Sequence, residues 1–160
     1  MKTIKGEVKG KGLKIAIISS RFNEEITGNL IEGSKRLFIE KGVKEKDIYL
    51  YLVPGAFEIP SVLEKILKKN NKLKYDGILT IGCVIKGETA HFEYISGAVS
   101  TGINQISSKY GVPVGFCVLT TYNDEQAEAR SHMNPCNAET NKGYESADAV
   151  LEMIDLMNKI

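Results

Sequence analysis

The chain has 160 residues, and its 21 Lys and Arg against 20 Asp and Glu give a formal net charge of +1. We expect one domain over residues 1–160, because this length is typical of a single domain. The balanced charge offers no dense basic face for nucleic acid, and no apolar run reaches the ~18 residues of a membrane span. Neither a nucleic-acid partner nor a membrane partner is therefore expected.

The N-terminal segment and the cysteines bear on the cellular compartment. The first residues, MKTIKGEVKGKGLK, lack the apolar stretch of a signal peptide. The chain has three cysteines, and an odd number does not suit a disulfide framework. We expect a reduced, cytoplasmic protein.

Short apolar runs alternate along the chain with segments of helical periodicity. Asn23 is predicted to cap the first helix through its side chain, and Gly42 is predicted to end that helix. Strands are predicted at residues 14–19, 47–53, 77–83 and 113–120. The later helices are predicted at residues 59–69, 92–109, 124–131 and 142–158.

The predicted strands are continuously apolar, which is typical of strands buried on both faces of a sheet. Four alternations of strand and helix with right-handed crossovers predict an α/β three-layer sandwich, a four-stranded parallel sheet with helices on both faces. Ligands of such sheets bind beyond the carboxyl ends of the strands. The candidate site loops are therefore residues 20–23, 54–58, 84–91 and 120–124.

The first two loops offer an aromatic ring and a carboxylate. No GxGxxG or GxxxxGK[ST] motif follows the first strand, which argues against a dinucleotide or ATP. Phe22 either packs as a staple on the next helix or presents a plate on which a flat heterocycle stacks. Glu58 either caps the following helix or accepts hydrogen bonds from a polyol. Both alternatives stay open at each position.

The third loop carries the most candidates for chemistry. Gly87 lets the backbone approach a ligand, and Thr89 is predicted at a helix N-terminus, where free N–H groups and a hydroxyl can bind an anion. His91 follows two residues later, and an imidazole exchanges protons near neutral pH. This arrangement favours general acid–base work by His91 beside a phosphate group.

No metal site is expected from the sequence. His132 and Cys136 have an acceptable spacing for two ligands, but no CxxC or HExxH motif completes a site. Cys83 and Cys117 lie in apolar strands, where a thiol behaves as a small hydrophobic group.

The loops also contain longer motifs that resemble the lumazine synthase (6,7-dimethyl-8-ribityllumazine synthase) family. These motifs are Arg21-Phe22-Asn23, VPGAFEIP at 53–60, GCVIKGETAH at 82–91 followed by Phe92 and Tyr94, GVPVGFCVLTT at 111–121, Glu125-Gln126-Ala127 with Arg130, and Asn141-Lys142-Gly143. The resemblance runs from about residue 4 to 158. It implies a flavodoxin-like fold and a transferase that acts in the penultimate step of riboflavin biosynthesis. The implied substrates are 5-amino-6-(D-ribitylamino)uracil and 3,4-dihydroxy-2-butanone 4-phosphate, condensed without a cofactor.

The same resemblance implies roles for individual residues. His91 would be the proton shuttle. The other implied contacts are Phe22, Val84 and Ile85 with the pyrimidine; Ala56, Phe57 and Glu58 with the ribityl chain; Asn23 and Cys83 with the substrate more generally; and Gly87, Glu88 and Thr89 with the phosphate.

The resemblance further implies a site between adjacent subunits. Phe116, Arg130 and Lys142 would come from the neighbouring chain, Arg130 binding the phosphate and Lys142 the heterocycle. Residues 4–8 would add to the edge of a neighbour's sheet, unless they fray as termini commonly do. Residues 131–141 are longer than the corresponding turn of many members and would obstruct contacts between pentamers. A homopentamer is expected, with a sixty-subunit shell as the alternative.

Three other functions compete with this one. The first is an archaeal-type riboflavin synthase, which would dismutate the lumazine. The second is a non-catalytic binder of lumazine or flavin built on the same assembly. The third is a flavodoxin-like FMN protein, which the first loop disfavours because it lacks a hydroxyl-rich phosphate cradle.

Overall fold

The computed structural model describes residues 1–68 and 74–160, and in these ranges four strands alternate with five α-helices. The strands are β1 (Ile15–Ser20), β2 (Ile48–Val53), β3 (Gly77–Ile85) and β4 (Val114–Thr121). The helices are α1 (Glu24–Glu40), α2 (Ile59–Leu67), α3 (His91–Tyr110), α4 (Asp124–Glu128) and α5 (Lys142–Lys159). None of these helices combines the length and the apolar character needed to cross a membrane.

All four strands are parallel and lie in the order β2-β1-β3-β4. Alternate residues of β1 enter different cores: Ile15 and Ile17 pack with α1 and α5, whereas Ala16 and Ile18 pack with α2 and α3. All four side chains are at most 1% exposed. Since both faces of the strand are covered, its continuous apolar run is explained, and the predicted three-layer α/β sandwich is confirmed.

Several element boundaries differ from the predicted ones. β3 continues two residues past position 83, because Val84 and Ile85 pair with Thr120 and Thr121 of β4. α3 begins at His91, and α4 stops at Glu128 instead of running to 131. The end predicted for α2, residue 69, lies outside the described residues.

The N-terminal residues pack against their own chain. Gly6 is buried, and a Cβ at this position would lie 2.0 Å from the carbonyl oxygen of Glu152 in α5. The N–H of Glu7 donates to Asp155 Oδ2 at 2.7 Å. No strand is assigned to residues 4–8 in this chain, and their addition to a neighbour's sheet stays a prediction.

Candidate active site

A pocket of about 680 Å³ opens at the carboxyl ends of β1 and β3. This is the place where the sheet order changes direction, and ligands of parallel sheets commonly bind there. Ten of the predicted site residues line it: Phe22, Ala56, Phe57, Glu58, Cys83, Val84, Ile85, Gly87, Thr89 and His91. We call it the Phe22 pocket.

Three further residues complete the lining of the Phe22 pocket: Gly55, Phe92 and Ile95. Ile95 was missed by the sequence analysis. Residues four apart on a helix share a face, so a predicted helix that began at His91, as α3 does, instead of at residue 92 would have pointed to Ile95.

The turn that carries Phe22 is fixed by its neighbours, while the ring itself is 70% exposed. The N–H of Phe22 donates to the carbonyl oxygen of Pro54 at 3.2 Å. Asn23 has a left-handed backbone (φ 58°), and its Nδ2 donates to the carbonyl oxygen of Cys83 at 3.0 Å. An exposed ring at this position suits a stacking plate better than a staple on α1.

The prediction that the Asn23 side chain caps α1 is wrong. The amide makes no cap hydrogen bond, because it is turned toward β3 and bonded to Cys83. Asn23 is also absent from the lining of the Phe22 pocket. Its position indicates that it holds the Phe22 turn in place.

Glu58 fills the capping role considered for it and keeps one carboxylate oxygen without a partner in the described chain. Its Oε2 accepts a 2.8 Å hydrogen bond from the N–H of Gly55, so the carboxylate does cap the turn before α2. Within the described part of the chain, Oε1 has no hydrogen-bond partner. One carboxylate oxygen is therefore free to accept from a ligand hydroxyl at the wall of the Phe22 pocket.

The third loop ends at the N-terminus of α3. No atom lies within 4 Å of a Cβ built on Gly87, so the backbone there is open to a ligand. Thr89 Oγ1 accepts from the N–H of His91 at 3.4 Å. The His91 imidazole is exposed and makes no hydrogen bond to any described residue. Glu88 is exposed and outside the pocket lining.

A second pocket, of about 400 Å³, lies between β4 and α5. Phe116, Arg130 and Lys142, the three residues predicted to serve a neighbouring subunit, come together in it. We call it the Arg130 pocket. Its lining shares no residue with that of the Phe22 pocket.

The cationic side chains of the Arg130 pocket have polar partners. Arg130 Nη1 donates to the carbonyl oxygen of Gln126 at 2.8 Å, and Lys142 forms an ion pair with Glu145. Thr121 Oγ1 is buried in the pocket wall and has no hydrogen-bond partner in the described chain. Glu145 was not among the predicted site residues, although it lies three residues after Lys142 on the same face of α5.

The thiols sit in environments that keep them protonated. Burial raises the pKa of Cys83 to about 11 and the pKa of Cys117 to about 12. Both values agree with the interpretation of these cysteines as small hydrophobic side chains. Over the described ranges, no three His, Cys, Asp or Glu side chains are grouped so that they could hold a metal ion.

The residues that line both pockets lie in the part of the chain that matches known proteins. The 6,7-dimethyl-8-ribityllumazine synthase family model matches residues 12–158. A curated 6,7-dimethyl-8-ribityllumazine synthase from Campylobacter hominis is 44% identical, over 100% of this chain and 99% of that protein. The chain therefore belongs to the 6,7-dimethyl-8-ribityllumazine synthase family and is a transferase of riboflavin biosynthesis.

Proposed function

We propose that this enzyme builds each active site from the Phe22 pocket of one subunit and the Arg130 pocket of the next. The reaction is the family's condensation of 5-amino-6-(D-ribitylamino)uracil with 3,4-dihydroxy-2-butanone 4-phosphate to 6,7-dimethyl-8-ribityllumazine. One observation carries the proposal: the candidate residues form two open pockets with no residue in common on a single chain.

The chemistry requires alignment and proton transfer. The aromatic amine attacks the ketone, and loss of water gives an imine. Phosphate then leaves, and the ribityl-bearing nitrogen closes the ring with loss of a second water. No oxidation state changes overall, so the reaction needs no external oxidant or reductant. Holding two reactive substrates in contact is worth several kcal/mol by itself.

The Phe22 pocket suits the pyrimidine and its polyol chain. The exposed Phe22 ring offers a stacking face, and the ends of β3 at Val84 and Ile85 present backbone groups beside it. Glu58 Oε1 accepts from a ribityl hydroxyl. These contacts place the amine near His91, which carries protons between the reacting groups and the leaving phosphate.

The butanone phosphate lies between the two pockets. The N-terminal end of α3, with Thr89 and the open backbone at Gly87, favours an anion. Arg130 of a second copy supplies a guanidinium that binds phosphate oxygens in a bidentate manner. Lys142 of that copy, held by Glu145, contacts the heterocycle.

Exposed apolar side chains support an assembly of several subunits, which the family implies in general terms. Phe57 and Phe116 in the two pockets are 57% and 45% exposed, and Leu50 and Leu52 on the edge strand β2 are 46% and 56% exposed. Such surfaces are commonly covered by partners.

We infer a cytoplasmic homopentamer, in which the long segment 131–141 prevents pentamers from joining. Light scattering should give about 88 kDa, five times 17.6 kDa; a megadalton particle would contradict it.

The test of the shared site mixes two inactive variants. His91→Ala impairs the Phe22 pocket and Arg130→Ala impairs the Arg130 pocket. Each variant alone is expected to form little of the fluorescent lumazine from the two substrates. When unfolded and refolded together, about a quarter of the subunit contacts join two intact pockets, and activity should return. Activity that stays at the level of the single variants would show that each subunit acts alone.

A second measurement separates this function from its nearest competitor. The enzyme is incubated with the lumazine alone, and riboflavin is measured. A riboflavin synthase would dismutate two lumazine molecules, whereas the proposed condensation leaves the lumazine unchanged. Tight lumazine binding with no turnover of the two substrates would instead identify a binding protein.

A further inference from the structure

The two ends of segment 131–141 are hydrogen-bonded to each other, and we call this closure the base of the segment. The base carries the two cationic residues of the Arg130 pocket, Arg130 and Lys142. The N–H of Lys142 donates to the carbonyl oxygen of Arg130 at 2.8 Å. Ser131 and Asn141 pair as an isolated antiparallel bridge, and the N–H of His132 donates to Thr140 at 3.0 Å. Arg130 and Lys142 therefore lie side by side, although eleven residues separate them in sequence.

One side chain joins this base to the rest of the fold. Asn141 is 0% exposed, and its Oδ1 caps α5 by accepting from the N–H of Tyr144 at 3.1 Å. Its Nδ2 donates to the carbonyl oxygens of Asn29 in α1 and of His132, both at 3.1 Å. The carbonyl and both N–H groups of a single amide are thus engaged with three different segments.

Gly33 makes room for this amide in the middle of α1. A Cβ at Gly33 would lie 2.3 to 2.7 Å from the side-chain atoms of Asn141, which is closer than any Cβ tolerates. Glycine destabilises a helix interior relative to alanine. Its presence at this position is explained by the need to seat Asn141 against α1.

We infer that Asn141, seated against Gly33, is a positioning residue that fixes Arg130 and Lys142 for the reaction. The inference rests on the proposed function, which assigns the phosphate to Arg130 and the heterocycle to Lys142. The contacts of the base join the two ends of segment 131–141 and do not involve its middle. The middle can therefore differ in length while Arg130 and Lys142 keep their places.

The test uses Asn141→Asp, which keeps the cap acceptor, loses both N–H donors and places a carboxylate against two carbonyl oxygens. Inorganic phosphate serves as the probe, measured as an inhibitor competitive with the butanone phosphate. We expect the inhibition constant and the KM for the butanone phosphate to rise about tenfold or more at temperatures where the variant is folded. Unchanged constants in a folded variant would overturn the inference.

Asn137→Asp is the matched control within the same segment. The Asn137 side chain only accepts: its Oδ1 takes hydrogen bonds from the N–H groups of Glu139 at 2.9 Å and Thr140 at 3.2 Å and from Thr140 Oγ1 at 3.3 Å, and its Nδ2 donates to no described residue. The aspartate keeps these hydrogen bonds and adds the same charge. We expect its phosphate constants to stay near those of the parent enzyme. An equal rise of the phosphate constants in both variants would show that the added negative charge explains the effect, and it would overturn the positioning role.

Gly33→Ala gives a second route if Asn141→Asp does not fold. Alone, Gly33→Ala should raise the KM for the butanone phosphate about tenfold, and in an Asn141→Ala background it should add little, because the colliding amide is gone. No rise from Gly33→Ala, or an equal rise in both backgrounds, would overturn the inference.

Arg130→Ala separates this inference from the proposed function. If Arg130→Ala leaves phosphate inhibition unchanged, the proposed function fails at Arg130. If Arg130→Ala weakens phosphate inhibition while Asn141→Asp has normal constants, only the role of Asn141 is refuted.

Discussion

Asn23 Nδ2 donates a 3.0 Å hydrogen bond to the carbonyl oxygen of Cys83, and this contact ties the turn of Phe22 to the end of β3. The N–H of Phe22 adds a bond to Pro54 in the second loop. Two loops and a strand that are distant in sequence are thereby joined around one pocket. Asparagine fits this position for a second reason, since it tolerates the left-handed backbone better than most residues with a Cβ.

Two substitutions at Asn23 separate these two reasons. Asn23→Gly loses the hydrogen bond but keeps the left-handed backbone, and we expect it to lower the free energy of unfolding by about 1 kcal/mol. Asn23→Ala also meets the backbone penalty, so it should lower the free energy of unfolding by roughly 2–3 kcal/mol in total. Urea unfolding measures both values. Equal losses for the two variants would show that the backbone conformation contributes nothing.

His91→Ala tests the proton shuttle. The imidazole is exposed and hydrogen-bonded to no described residue, so its removal should leave the fold and the binding of lumazine nearly unchanged. Loss of general acid–base catalysis should lower kcat by on the order of 10²-fold. Stopped-flow formation of lumazine gives kcat, and quenching of lumazine fluorescence gives the affinity. A kcat equal to that of the parent enzyme would remove His91 from the mechanism.

Arg130→Ala and Lys142→Ala form a reciprocal pair. Arg130 is assigned to the phosphate, and losing a charge-assisted hydrogen bond is worth roughly 10–150-fold in binding. Arg130→Ala should therefore raise the KM for the butanone phosphate far more than the KM for the pyrimidine, and Lys142→Ala should do the opposite. Initial-rate kinetics with each substrate varied in turn measure both constants. The same pattern from both variants would contradict the separate assignments.

The sequence predicts the sheet and the site loops for a physical reason. A strand such as β1, apolar at every position, has to be covered on both faces, and parallel strands then bring their carboxyl-end loops to one edge. The residues 22, 58 and 91 were chosen by that rule and do line one pocket.

The contacts that hold the site in place could not be predicted in this way. Asn23 and Cys83 are 60 positions apart, and Asn141 reaches Asn29 across 112 positions. A side-chain amide can bond to nearly any exposed carbonyl, so no local pattern in the sequence selects its partner. The asparagine at position 23, just before the first helix, did predict a side-chain cap, but its amide is hydrogen-bonded to Cys83 in β3 instead.

Glu40 gives a pH-dependent contribution to the anchoring of α5. Hydrogen bonds from Tyr144 Oη at 2.7 Å and Arg36 Nε at 3.0 Å lower the pKa of Glu40 below its ordinary value of 4.5. A carboxyl group whose pKa is depressed by folding stabilises the fold above its unfolded pKa and loses this effect as the pH falls through the folded pKa. Below that range the carboxyl is protonated in both states.

Glu40→Gln should therefore be less stable than the parent protein near pH 7, and the difference in free energy of unfolding should shrink as the pH falls below about 4.5. Urea unfolding at a series of pH values measures it. Glu32→Gln, which removes an exposed carboxylate of α1 that has no hydrogen bond in the described chain, is the control for the loss of one charge. A difference that stays constant down to about pH 3 would contradict the linkage.

The three cysteines should differ in their reaction with a disulfide reagent, because only a thiolate attacks it. Burial raises the pKa of Cys83 to about 11 and of Cys117 to about 12. Burial also raises the pKa of Cys136, but the charge of Arg36 opposes that effect.

At about pH 8 we expect Cys136 to react before the other two thiols, although slowly. Cys83 should react later, and Cys117 only when the fold opens. Cys136→Ser should remove the first phase and leave the others, while all three thiols of the parent should react at once in guanidinium. Rapid reaction of Cys117 in the folded protein would mean that the core between β4 and α5 opens without global unfolding.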